Sequence, residues 1–236
     1  MRHLTPVITC GCAWLFCGCP KAVPPSLLPD EIITYQTEDG WEGDIRHYKG
    51  DGPPVLMVHG MGANHYNFDY HEDVSLSNYL QQSGWDVWIP ELRGDPGARP
   101  PYKKARGEFT FDHLAQDMPA VVDRVLEETE RDQLDWVGHS MGGMLLYTAL
   151  SSYPDKVRSG VAICSPSTFD HPLPIHKSLA KAGWAVRGPG RLPARALAKM
   201  TAPLGRANVF FSNIANMKNL DWSLAKGLAR HALIDL

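Results

Sequence analysis

Between Val55 and Ser165, short apolar runs alternate with segments of helical period, and no other pattern in the chain restricts its fold so strongly. VLMVH (Val55 to His59), WDVWIPE (Trp85 to Glu91), LDWVGH (Leu134 to His139) and VRSGVAICS (Val157 to Ser165) are continuous rather than alternating. Such runs suit strands buried on both faces of a parallel sheet. Between them, Leu76 to Gln82 has helical composition and ends near Gly84. Phe111 to Glu130 follows Thr110 as N-cap and sets Leu114, Met118, Val121, Val122 and Leu126 on one face. Met141 to Ser151 reads as a helix, with Pro154 beyond its end. Ahead of this series, EIITYQT (Glu31 to Thr37) and GDIRHYK (Gly43 to Lys49) form a hairpin around Glu38-Asp39-Gly40. The expected fold class is therefore α/β, a mostly parallel central sheet flanked by helices.

Composition narrows the function classes. The chain has 236 residues, 44% of them apolar and 21% charged, with a net charge of -3. These values exclude a disordered chain and a multi-span membrane protein, and leave no basic footprint for nucleic acid. The length suffices for a core without disulfide or metal staples. No spacing of His, Cys, Asp and Glu amounts to a metal site, no Gly-rich phosphate loop occurs, and no cofactor is implied.

Four of the five cysteines, Cys10, Cys12, Cys17 and Cys19, fall in the first nineteen residues. They lie in a short apolar stretch, Leu4 to Gly18, behind Arg2 and His3. That layout favours an export leader over a zinc grip. The run LFCGC resembles a bacterial lipobox with Cys19 as lipid acceptor, although Phe16 stands where an aliphatic residue is expected. Residues 1–19 are thus expected to be a signal or lipoprotein leader, and 20–29 a Pro-rich spacer. The protein would be exported, either held at the membrane by a lipidated Cys19 or released as a periplasmic or secreted protein. Cys164, alone in the body, is expected to be a small core residue on a strand.

The segment Gly138-His139-Ser140-Met141-Gly142 sits between a strand and a helix. A sharp turn there lifts the Ser140 hydroxyl out of the sheet, and small residues two positions either side allow the backbones to approach. The helix that follows directs its N–H groups and positive dipole end at the same place. Ser140 is the candidate nucleophile. His59-Gly60-Met61-Gly62 ends the Val55 strand. Acyl transfer passes through an oxyanion that needs two donors, for which the backbone N–H groups of Met61 and Met141 are the candidates. His139 and His59 are expected to pack or to bond within their own loops. Arg93-Gly94 and the loop from Asp95 to Gly107 either rim a substrate entrance or form a solvated surface loop.

On VLMVHGMGAN (Val55 to Asn64), WDVWIPELRG (Trp85 to Gly94) and LDWVGHSMGGM (Leu134 to Met144), the chain resembles the α/β-hydrolase superfamily, in its serine esterase and lipase branch. The resemblance implies an α/β-hydrolase core over 30–166 and a helical lid after the sixth strand, over 167–236. Trp184, Val186, Phe210, Phe211 and Trp222 would either line an acyl pocket or pack the lid onto the sheet. Serine at position 140 sets the chain apart from haloalkane dehalogenases and epoxide hydrolases, which place Asp there. The implied activity is cleavage of a small-molecule or lipid-like carboxylic ester through an acyl-enzyme. Acyl transfer on the same scaffold, and an inactive hydrolase-like protein, are the alternatives. The family order is Ser, then an acid, then His. Strands are countable only through the sixth, so the resemblance places acid and base beyond Leu236 and makes the sequence look truncated at its C-terminus. Asp170 and His231 are the internal candidates that satisfy the order.

Overall fold

The computed structural model describes residues 24–102, 109–168 and 170. Seven strands, β1 (Glu31–Gln36), β2 (Glu42–Tyr48), β3 (Pro54–Val58), β4 (Asp86–Pro90), β5 (Ala98–Arg99), β6 (Leu134–His139) and β7 (Val157–Ile163), alternate with helices α1 (Leu76–Gln82), α2 (Phe111–Thr129) and α3 (Met141–Ser152). They make one sheet in the order β1-β2-β4-β3-β6-β7, with the two-residue β5 paired to β2. β1, β2 and β5 run antiparallel to their neighbours, whereas β4, β3, β6 and β7 are mutually parallel. The α/β class and every long element expected between Glu31 and Ser165 are present. The short β5 and 3-10 turns at His65–Asn67 and Pro154–Lys156 are additions.

Side-chain alternation along β3 explains why its run is apolar throughout. Leu56 and Val58 face a cluster built with Trp88, Trp136 and the inner faces of α2 and α3. Val55 and Met57 face the other way, toward Ile89, Phe68 and the Leu76 and Leu80 side chains of α1. Helices thus cover both faces, and β3 is buried along its whole length.

This topology dictates where a site forms. From β3 the chain crosses to β4 on one side and then to β6 on the other. Connections that leave a strand in opposite directions open a crevice at its carboxyl end, where ligands bind in such sheets. The loop after β3 and the turn after β6 flank that crevice.

Cys164 departs from expectation. β7 is largely exposed and ends at Ile163. Cys164 is the next residue, with φ of 50° and an exposed thiol. The strand is exposed along most of its length and ends one residue before Cys164, so neither it nor the turn that follows buries the thiol.

Candidate active site

Ser140 occupies the turn between β6 and α3 with φ of 51° and ψ of -111°. A non-glycine residue there carries about 1–3 kcal/mol of backbone strain, which persists only if its surroundings impose it. They do so from two sides. The Ser140 N–H donates to the Ile163 carbonyl of β7 at 2.8 Å, and the Ser140 carbonyl accepts from Gly143 at 3.1 Å and Met144 at 3.2 Å. The flanking glycines are required by contact. A Cβ on Gly138 would lie 2.3 Å from the Gly142 carbonyl oxygen, and one on Gly142 would lie 2.0 Å from that of Val58. The local spacing G-x-S-x-G is thus the footprint of three backbones meeting.

The loop after β3 lies against this turn. A Cβ on Gly60 would come within 3.2 Å of Ser140 Cβ. Residues Gly60 to Ala63 form a tight turn, closed by Ala63 N–H donating to the Gly60 carbonyl at 3.2 Å, with Gly62 at φ of 73°. In a trans peptide the C=O and the following N–H point in opposite directions. Because the Gly60 carbonyl is drawn into the turn, the Met61 N–H faces outward. Met141 begins α3, where the first N–H has no acceptor within the helix. Met61 is 69% exposed and Met141 packs half-buried against the core.

Polar groups rather than apolar contacts anchor the loop. His59 is buried. Its Nδ1 bonds the Gly60 carbonyl at 3.0 Å and its Nε2 bonds Asp95 at 2.7 Å. The same Asp95 oxygen accepts the Leu92 N–H at 2.6 Å. Farther along, His65 bonds Glu91, while Asp69 accepts from Tyr48 and, at 3.2 Å, from Arg46. Asn67 Oδ1 accepts from His139 Nδ1 at 2.9 Å and from the Gly60 N–H at 3.3 Å. Burial and the neighbouring His59 charge hold His139 below the usual histidine range, and its Nδ1 carries a proton because the Asn67 carboxamide oxygen can only accept.

Burial opposes a charge on His59, but Asp95, the Gly60 carbonyl and Glu91 outweigh it and raise its pKa to about 9. Burial pushes Asp95 upward against the pull of His59. A raised histidine pKa gives stability that is complete below the unfolded value of 6.5 and is lost as pH rises through about 9. Between about pH 7 and about pH 10 the contribution that disappears is about 2–3 kcal/mol. Urea unfolding across that range should therefore show falling stability in the wild type and a flatter profile in Asp95→Asn. Parallel profiles for the two proteins would refute the assignment.

The expected residues are not all brought together. Gly60, the neighbour of Met61, packs against Ser140, which Met141 follows directly in the chain. Asp170 is exposed, and its backbone N–H bonds Thr168 at 3.4 Å; among the described residues nothing joins its side chain to Ser140 or to a histidine. His231, Cys19, the leader and most of the 167–236 region lie outside the described residues. Of the loop after β4, Arg99 and Tyr102 are exposed as a surface loop would be, but Glu91, Arg93 and Asp95 are buried. Sequence reasoning missed Asn67, Asp95, Glu91, Arg46 and Asp69. A charged run placed directly after an apolar strand was the one signal available for Glu91 and Asp95. No group of three or more His, Cys, Asp or Glu among the described residues could hold a metal ion.

Residues 53–186 match the family model described as the alpha/beta hydrolase fold. This chain belongs to the alpha/beta hydrolase fold family. It is 31% identical over 146 residues to human gastric triacylglycerol lipase, covering 55% of this chain and 37% of that protein. It is 30% identical over 146 residues to human lysosomal acid lipase/cholesteryl ester hydrolase, with the same coverage of 55% and 37%. The chain thus matches well under half the length of these two relatives. Among solved structures, an epoxide hydrolase from Vigna radiata superposes with a TM-score of 0.53 at 24% identity, covering 79% of this chain and 55% of that one. Epoxide hydrolase A from Mycobacterium thermoresistibile does so at 0.51 and 19% identity, covering 75% and 55%. At these identities the two structures report the shared hydrolase fold alone.

Proposed function

We propose that the chain is the core of a serine hydrolase that cleaves carboxylic esters through an acyl-enzyme on Ser140. The observation that carries this reading is the strained Ser140 turn with the Gly60–Gly62 loop packed against it. Ser140 Oγ attacks the ester carbonyl, and the carbonyl π electrons move to its oxygen. That oxyanion is met by the Met61 and Met141 N–H groups. As the tetrahedral adduct collapses, the C–O bond to the alcohol breaks and the alcohol leaves with a proton. Water then repeats the sequence on the acyl-serine, releasing the acid and restoring the hydroxyl. Among the described residues no histidine side chain bonds Ser140, so the base is assigned outside them, with His231 the candidate within this chain. The names of the relatives, a triacylglycerol lipase and a cholesteryl ester hydrolase, support a lipid ester as substrate. Residues 167–236 would then cover the crevice as a lid. The apolar leader supports export, with Cys19 as the lipid attachment point. Among the described residues no helix is long and apolar enough to cross a membrane.

A fluorophosphonate ester tests the reading, because it phosphonylates only an activated serine. Stoichiometric labelling of the folded chain that vanishes in Ser140→Ala is the expected result. Labelling that survives in Ser140→Ala, or a folded wild type that takes no label, would overturn it.

A further inference from the structure

Two backbone segments must keep a constant separation if the Met61 and Met141 N–H groups are to meet one oxygen. Those segments belong to different strand ends, the loop after β3 and the turn after β6. Apolar packing does little to hold them, since the loop is glycine-rich and its one large apolar side chain, Met61, is exposed. One side chain touches both. Asn67 Oδ1 accepts the Gly60 N–H at 3.3 Å, on the loop, and the His139 Nδ1–H at 2.9 Å, on the residue before Ser140.

Asn67 is itself firmly held. It closes the 3-10 turn His65–Asn67, whose entry is capped by Asn64 Oδ1 accepting the Tyr66 N–H at 3.1 Å. The Asn67 N–H donates to the Asn64 carbonyl at 2.9 Å. Glu91 fastens His65 on one side of Asn67, and Arg46 and Tyr48 fasten Asp69 on the other. Such a site demands an acceptor oxygen with two lone pairs on a short side chain, which is what a carboxamide oxygen offers. Ser or Thr at this position would be shorter, and Gln would overreach.

We propose that Asn67 is a positioning residue of this site, a clamp that couples the Gly60–Gly62 loop to the Ser140 turn and so sets the distance between the two oxyanion donors. This inference rests on the reading of Ser140 and Met61 given above. Asn67 touches neither substrate nor reacting atoms. It acts through Gly60, whose amide it holds while His59 and Ala63 hold the carbonyl of the same residue.

The test compares Asn67→Leu, which keeps the volume but removes the acceptor, with Asn67→Asp, which restores an acceptor oxygen. Fluorophosphonate labelling gives a limiting rate and a half-saturating concentration. A misplaced donor acts on the transition state, so the limiting rate should fall about 100-fold in Asn67→Leu with half-saturation unchanged. Asn67→Asp should recover most of that loss. An amide 1H–15N spectrum supplies a readout independent of activity. The Gly60 resonance should move upfield and its exchange accelerate in Asn67→Leu but not in Asn67→Asp. An unchanged Gly60 resonance in Asn67→Leu overturns the clamp, whether or not Ser140 is labelled. An unchanged labelling rate, or equal losses in both variants, overturns it while leaving Ser140 as nucleophile. A wild type without label at Ser140 removes the reading beneath the proposal, and the Gly60 resonance then decides the clamp by itself.

Discussion

Arg93→Ala is expected to lower stability by about 3–5 kcal/mol, because it leaves a buried carboxylate without its partner. Arg93 Nε and Nη2 donate to the two Asp117 oxygens at 2.6 Å each, and Nη1 and Nη2 donate to Asp39 at 2.7 Å each. Its guanidinium also lies 5.1 Å from the centre of the Trp41 ring. Asp117 is 2% exposed, so little water can replace the lost donors. Burial already pushes Asp117 above the usual carboxylate range against the pull of Arg93. Without Arg93 it should take up a proton more readily. The deficit of the variant relative to the wild type should accordingly shrink as pH is lowered from about 7 to about 5. Adding Asp117→Asn should recover part of the loss at neutral pH. Chemical denaturation of the single and double variants measures this directly, and a deficit independent of pH would contradict the account. The effect should reach the site, because Arg93 lies between Leu92, whose N–H bonds Asp95, and Asp95 itself, the partner of His59.

Gly142→Ala should cost at least ~3 kcal/mol and abolish labelling of Ser140. The added methyl would sit 2.0 Å from the Val58 carbonyl oxygen, 2.6 Å from its carbon and 3.0 Å from the His59 carbonyl oxygen. All three are backbone atoms of the β3 end, so no rotamer change relieves the clash; α3 must move away from β3, carrying Ser140 from the loop it faces. Gly84→Ala is the contrasting case. Gly84 has φ of 91° and nothing within 4 Å of an added Cβ. Its cost is then conformational alone, ~1–2 kcal/mol, with labelling retained. Thermal melts and labelling of both variants separate clash from strain. A Gly142→Ala protein that melts like the wild type and labels normally would show that the close approach is not what the spacing serves.

These effects also divide the legible from the illegible. Gly138, Ser140 and Gly142 announce themselves, since the requirement for small residues falls on neighbours in the chain. Phe111 to Thr129 and Leu76 to Gln82 were likewise readable, because a buried helix face repeats with a period visible in one segment. Cys164 shows the limit of that reasoning, since an apolar run does not reveal which strands of a sheet are left exposed.

Asn67 and His139 are 72 residues apart, and His59 and Asp95 are 36 apart. No local pattern links either pair. The sequence by itself determined the alternation of strands and helices and the tight turn at Ser140, because each depends on periodicity or on steric demands between near neighbours. Only the tertiary structure decided which polar side chains hold the Gly60–Gly62 loop against that turn. The order β4-β3-β6 brings their strand ends together, and a hydrogen bond of about 3 Å forms only between groups that the topology has already made adjacent.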